Sequence, residues 1–193
     1  MKPPQLLALF SFCVLISHAS LSAAPMTSIT YPAAAGPGQA KHLVFLTGDE
    51  EYRSEEGLPM LAKILSQRYG FTCTVLFALD PDGTINPDNN TSLSDPAALD
   101  RADGIVMGLR FRQWPDAAMQ HFAAAVSRGV PIVALRTSTH AFNFPAKSPS
   151  AYTSFNIIDL SRFAFLKWWA TLEFIMLLDI CEVFSHTGPF TFF

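Results

Sequence analysis

Cysteine is scarce in this chain, at three in 193 residues: Cys13, Cys73 and Cys181. Thiols this far apart make no disulfide framework. Cys73 sits in a short apolar run, where a thiol behaves as a small buried apolar group. No Cys-x-x-Cys pair and no His-rich metal spacing occurs, so neither a metal nor a cofactor is expected. Charge is sparse too. Charged residues are 15% of the chain, the formal net charge is -3 and the pI is near 5.9. That balance gives no electrostatic reason to expect nucleic-acid binding. A hydrophobic content of 50% with so little charge also excludes a disordered chain.

What is present begins with a leader pattern. Lys2 supplies a positive start, Leu6 to Ile16 is mostly apolar, and Ser20 to Ala24 offers small residues for cleavage. This predicts a secretory signal over residues 1–24, cut near Ser22 to Ala24, and export to the periplasm or the exterior. A retained anchor is the alternative, but the apolar run is short for a membrane span. Residues 25–40 are rich in Pro, Ala and Gly and read as a flexible linker. The folded domain is expected over residues 41–156.

Within it, short apolar runs alternate with helical patterns. Strands are predicted at Lys41–Thr47, Phe71–Phe77, Gly104–Met107 and Val130–Leu135. A helix is predicted from an N-cap at Ser54 to a stop at Gly70, carrying Leu58, Leu61, Ala62 and Leu65 on one face. A short one should run from Pro96 to Arg101, and a third from Pro115 to Arg128. The pattern β-α-β-α-β-α-β implies an α/β fold: a doubly wound parallel sheet with helices on both faces. The simplest order for the four predicted strands is 2-1-3-4.

In such sheets, ligands bind at the carboxyl ends of the strands. The fourth run breaks there into Arg136-Thr137-Ser138-Thr139-His140. The first contributes Asp49, Glu50, Glu51, Tyr52 and Arg53; the third contributes Arg110, Arg112 and Gln113. A rim of arginines, carboxylates and hydroxyls suits an oxygen-rich small molecule such as a sugar. His140 is the candidate acid or base, since imidazole titrates near neutrality; a structural histidine is the bland alternative. The candidate ligand contacts are Glu50, Glu51, Arg53, Arg110, Arg112, Arg136 and Ser138. A nucleophilic Ser138 is disfavoured, because β-branched Thr137 and Thr139 flank it where a strained elbow needs small residues. Glu50 and Glu51 read more readily as a solvated loop than as a catalytic pair. Asn89-Asn90-Thr91-Ser92 holds glycosylation sequons, meaningful only in a eukaryotic secretory pathway.

The stretches Leu46–Glu56, Gly108–Trp114 and Arg136–Phe142 resemble the secreted ThuA-like proteins, trehalose-utilisation-type domains with a class I glutamine amidotransferase-like fold. The resemblance covers about residues 41–156. It implies a flavodoxin-like sheet and a link to carbohydrate metabolism, without fixing a reaction. The amidotransferases carry a cysteine at the elbow after this strand, and none lies between Val130 and Phe142. Cysteine-dependent glutamine hydrolysis is therefore not expected. Domains of this kind also continue well past this strand, so the sheet is expected to be incomplete on its C-terminal side.

Residues 157–193 are crowded with Phe, Trp, Leu and Ile and lack earlier punctuation. Phe163 to Ile180 has nearly the length of a membrane span but carries Lys167, Glu173 and Asp179, and each central charge costs a few kcal/mol on insertion scales. Three readings stay open: a membrane-associated helix, a packed helix, or a tail arising from a frameshift or a mispredicted coding end. The tail is not expected to complete the sheet.

Overall fold

The computed structural model describes residues 27–156, together with the backbone of Ala164–Phe165. The expected signal peptide and nearly all of the apolar tail lie outside the described residues. The strands are β1 (Ser28–Tyr31), β2 (His42–Gly48), β3 (Thr72–Leu76), β4 (Gly104–Leu109), β5 (Ile132–Ala134) and β6 (Ala164–Phe165). The helices are α1 (Ser54–Tyr69) and α2 (Asp116–Ser127), with short 3-10 segments at Pro96–Arg101, Ser138–His140 and Thr153–Asn156.

The sheet is mixed, in the order β1-β3-β2-β4-β5-β6. It departs from the expected all-parallel, four-strand arrangement at both ends. The four predicted strands occupy the centre as β3-β2-β4-β5, paired in parallel. β1 is added antiparallel on β3, with Ser28 opposite Leu76 and Tyr31 opposite Cys73. The expected linker is therefore wrong from residue 28 onward. Past β1 it is also tied down. Ser66 Oγ donates to the Pro32 carbonyl (2.7 Å), and the Gly38 N–H donates to the Tyr69 carbonyl (2.7 Å). The Gly38 N–H thus supplies a donor to the end of α1, where helical carbonyls lack partners. Gly70 (φ 77°) and Gly36 meet there so closely that a Cβ on Gly36 would lie 2.4 Å from the Tyr69 carbonyl carbon.

At the other end, Ala164 and Phe165 pair in parallel with Val133 and Ala134. Past Asn156 the sheet gains these two residues at its edge. The free side of β5 carries backbone groups that need partners, and β6 provides two residues of them.

Burial on both faces explains the unbroken apolar runs. Leu43, Phe45, Val75, Val106 and Val133 face α1, against Leu58, Leu61 and Leu65. Val44, Leu46, Ile105 and Met107 face the layer of α2 and the Pro96–Arg101 segment, with Trp114, Met119, Phe122 and Phe142. Cys73 is buried in the first layer, and desolvation pushes its thiol up to about 12, so it is an inert packing group. Among the described residues, no helix is long and apolar enough to cross a membrane.

Candidate functional site

Three loops leave the carboxyl ends of β2, β4 and β5 and bond directly to one another. The Arg110 N–H donates to the Gly48 carbonyl (2.9 Å), the Phe111 N–H to the His140 carbonyl (2.8 Å) and the Arg112 N–H to the Ala141 carbonyl (2.7 Å). These bonds bring the β2, β4 and β5 loop residues to one edge. They do so in two layers.

The inner layer is buried polar groups with their hydrogen bonds filled. Asp49, 0% exposed, accepts on Oδ1 from the backbone N–H groups of Glu51 (3.0 Å) and Tyr52 (3.2 Å), and on Oδ2 from the Thr137 hydroxyl. Ser138 is 0% exposed as well. Its hydroxyl donates to the Met107 carbonyl (2.9 Å) and accepts from the Leu109 N–H (3.0 Å). It takes the place of strand pairing where β5 stops. Ser138 is thus a structural tie between β4 and the β5 loop, and not the ligand contact expected of it.

Arg112 is 2% exposed. Its guanidinium donates to the carbonyls of Arg110 (2.6 Å), Pro87 (2.8 Å) and Asn89 (3.3 Å), and to Glu50 Oε2 (3.3 Å). Burial pulls its pKa below the usual arginine value; Glu50, Asp49 and Asp88 oppose that shift, and Arg110 adds to it. Arg112 therefore clamps the long polar loop after β3 to the rim and has no edge left for a ligand. Gly48 makes room for it: a Cβ there would meet Arg112 Cδ at 3.0 Å.

Ser54 was expected to cap α1 and instead is its first helical residue, with Arg53 (φ 52°) at the cap position. The Ser54 hydroxyl accepts from the N–H groups of Gly48 (2.9 Å) and Asp49 (3.0 Å). It holds the β2 turn closed, which is a stronger claim on the oxygen than the cap.

The outer layer is partly or fully exposed. Arg110 pairs with Glu50 and, through Nε, with Glu51 (3.3 Å), and its guanidinium lies 4.6 Å from the centre of the Phe111 ring. Phe111 stacks on His140, with centroids 5.9 Å apart and 19° between planes. Arg136 sits over Tyr52 at 5.4 Å. Tyr52 is 47% exposed and Phe111 36%. Phe111 also holds a left-handed backbone (φ 54°), a conformation of order 1–3 kcal/mol for a residue with a side chain. His140 itself is exposed, with Thr139 Oγ1 3.2 Å from its Nδ1.

Of the sequence candidates, Glu50, Glu51, Arg110, Arg136 and His140 meet at this edge. Arg53 does not join them: it pairs with Glu56 on the outside of α1. The rings of Tyr52 and Phe111 were not among the candidates. Their signal was available, since each is a large aromatic in a polar loop past a strand end, with no apolar periodicity to place it in a core. Among the described residues, no group of three or more His, Cys, Asp or Glu could hold a metal ion. No family model, no curated protein and no solved structure matches the chain.

Proposed function

We propose that this chain is an exported, ThuA-like domain of flavodoxin-like type that binds a carbohydrate-like small molecule at the carboxyl edge of its sheet. The observation that carries this reading is the outer layer: two partly exposed aromatic rings, Tyr52 and Phe111, interleaved with Arg110, Glu51, Arg136 and His140. A pyranose offers an apolar C–H face and a ring of hydroxyls. Aromatic rings suit the face, and carboxylate and guanidinium groups suit the hydroxyls. The resemblance over residues 41–156 points to the same ligand class.

A binding role fits the geometry better than turnover. Ser138 has no free hydroxyl, and His140 contacts a ring and a threonine, with no carboxylate among the described residues to orient its imidazole. Its exposure favours a second reading, in which His140 is the acid or base for a sugar bound on the rim. The test is an NMR titration of the full chain with neutral and acidic mono- and disaccharides. Amide shifts should cluster at residues 50–53, 110–112 and 136–140. A panel that moves none of them would refute the reading. His140→Ala separates the two versions: loss of turnover with affinity kept marks an enzyme, and no turnover in either protein marks a binding module. Export is checked by mass spectrometry of secreted material, which should start between Ala23 and Met26; an intact Met1 would count against it.

A further inference from the structure

The charge of the ligand can be argued from which groups at the rim are already occupied. Each carboxylate of the β2 loop has partners. Asp49 takes two backbone N–H groups and the Thr137 hydroxyl; Glu50 takes Arg110 and Arg112; Glu51 takes Arg110. Arg110 and Arg112 are thereby neutralised. Arg136 is different. It is exposed, and among the described residues no carboxylate forms an ion pair with it. Its contact is the face of Tyr52, at 5.4 Å. A guanidinium held over a ring gives its flat face to the π system and keeps its in-plane N–H fork for another partner. That fork matches a carboxylate or a phosphate, two oxygens at a time. An unpaired cation beside an aromatic platform is thus set up for a ring with an anionic group at one end.

We propose that the ligand of this rim is an anionic sugar: a sugar-like ring bearing a carboxylate or phosphate, with the charged group on Arg136 and the ring against Tyr52. This rests on the carbohydrate-binding reading and adds the charge to it. Thr139 and His140, three and four residues further along the same loop, lie on the exposed side and offer a hydroxyl and an imidazole to the remaining oxygens.

Calorimetry of the full chain with D-glucuronate, glucose 6-phosphate and glucose tests this. At least one charged sugar should bind about fivefold or more tighter than glucose, the scale of one partly exposed charged contact. Arg136→Gln should bring the charged and neutral sugars to within about twofold of each other. Arg136→Lys should retain part of the preference, because it keeps the charge and loses the fork. Which charged sugar binds more tightly identifies the anionic group. Equal affinity for all three sugars, or a preference that survives Arg136→Gln, would overturn the proposal and leave sugar binding standing. No binding of any sugar would overturn both. Unchanged amide dispersion in Arg136→Gln confirms that the variant is folded.

Discussion

The carboxyl edge of the sheet contains two populations of polar residues that are neighbours in sequence and opposites in environment. Asp49, Arg112 and Ser138 are buried and their hydrogen bonds are filled. Glu51, Arg110, Arg136 and His140, one or two residues away, face outward. Each of the three loops contributes members to both layers. The inner members join β2, β4 and β5 loops into one body; the outer members are left to meet a ligand. Residue type alone does not decide the role, since an arginine serves in each layer. What decides it is the direction in which each loop residue leaves the strand end.

Substitutions in the inner layer should therefore cost stability, and those in the outer layer should not. The largest effect is expected for Arg112→Met. It strips four bonded acceptors of their donor and leaves Glu50 half paired, so about 3 kcal/mol should be lost. Urea unfolding measures it, and a loss below about 1 kcal/mol would mean that the clamp is not structural. Ser138→Ala comes next, at about 2 kcal/mol, because the buried Leu109 N–H and Met107 carbonyl both lose a partner. A near-neutral Ser138→Ala would return Ser138 to the list of ligand contacts. At the small end, Arg136→Ala and Arg53→Ala should each change stability by less than about 0.5 kcal/mol. A large loss from Arg136→Ala would erase the distinction between the layers.

A pH effect of intermediate size belongs to the opposite edge of the sheet. Burial lowers the pKa of His42 from 6.5, with Arg101 acting in both directions and Asp103 raising it. Its Nε2 lies 2.9 Å from Thr74 Oγ1, which in turn meets Thr30 Oγ1 at 3.0 Å. Because the folded form resists the proton, the unfolded chain takes it up first as pH falls. The His42 contribution is complete above 6.5 and is lost progressively as pH drops from there through the lowered native value. The fall in stability below that pH should be shallower in His42→Gln than in the unaltered chain. Identical pH profiles for the two would show that His42 plays no part.

The central sheet was legible because its strands are buried on both faces. Leu43 to Leu46 and Ile105 to Met107 need no knowledge of their partners to read as strands. β1 was not legible. Ser28-Ile29-Thr30-Tyr31 is a half-exposed edge strand between small residues, and it exists through its pairing with β3. The Ser54 cap failed for a related reason: local sequence shows a hydroxyl before a helix, whereas the N–H groups of Gly48 and Asp49 reach it only once the β2 turn is closed. At the rim, the sequence named the loops and most of the outer charged groups. It could not separate Arg110 from Arg112, because that depends on the Phe111 backbone turning left-handed between them.

The antiparallel run of β1 has a consequence for how this domain is held. Ser28 lies opposite Leu76, the last residue of β3, so the polypeptide enters the sheet from the carboxyl edge. Any tether upstream of Ser28, whether a natural anchor or an affinity tag fixed to a solid support, pulls from the side on which Tyr52 and Arg136 lie. A protein immobilised through its N-terminus would be hung with its rim toward the support, and a short tether would crowd out large polysaccharides while still admitting single sugars.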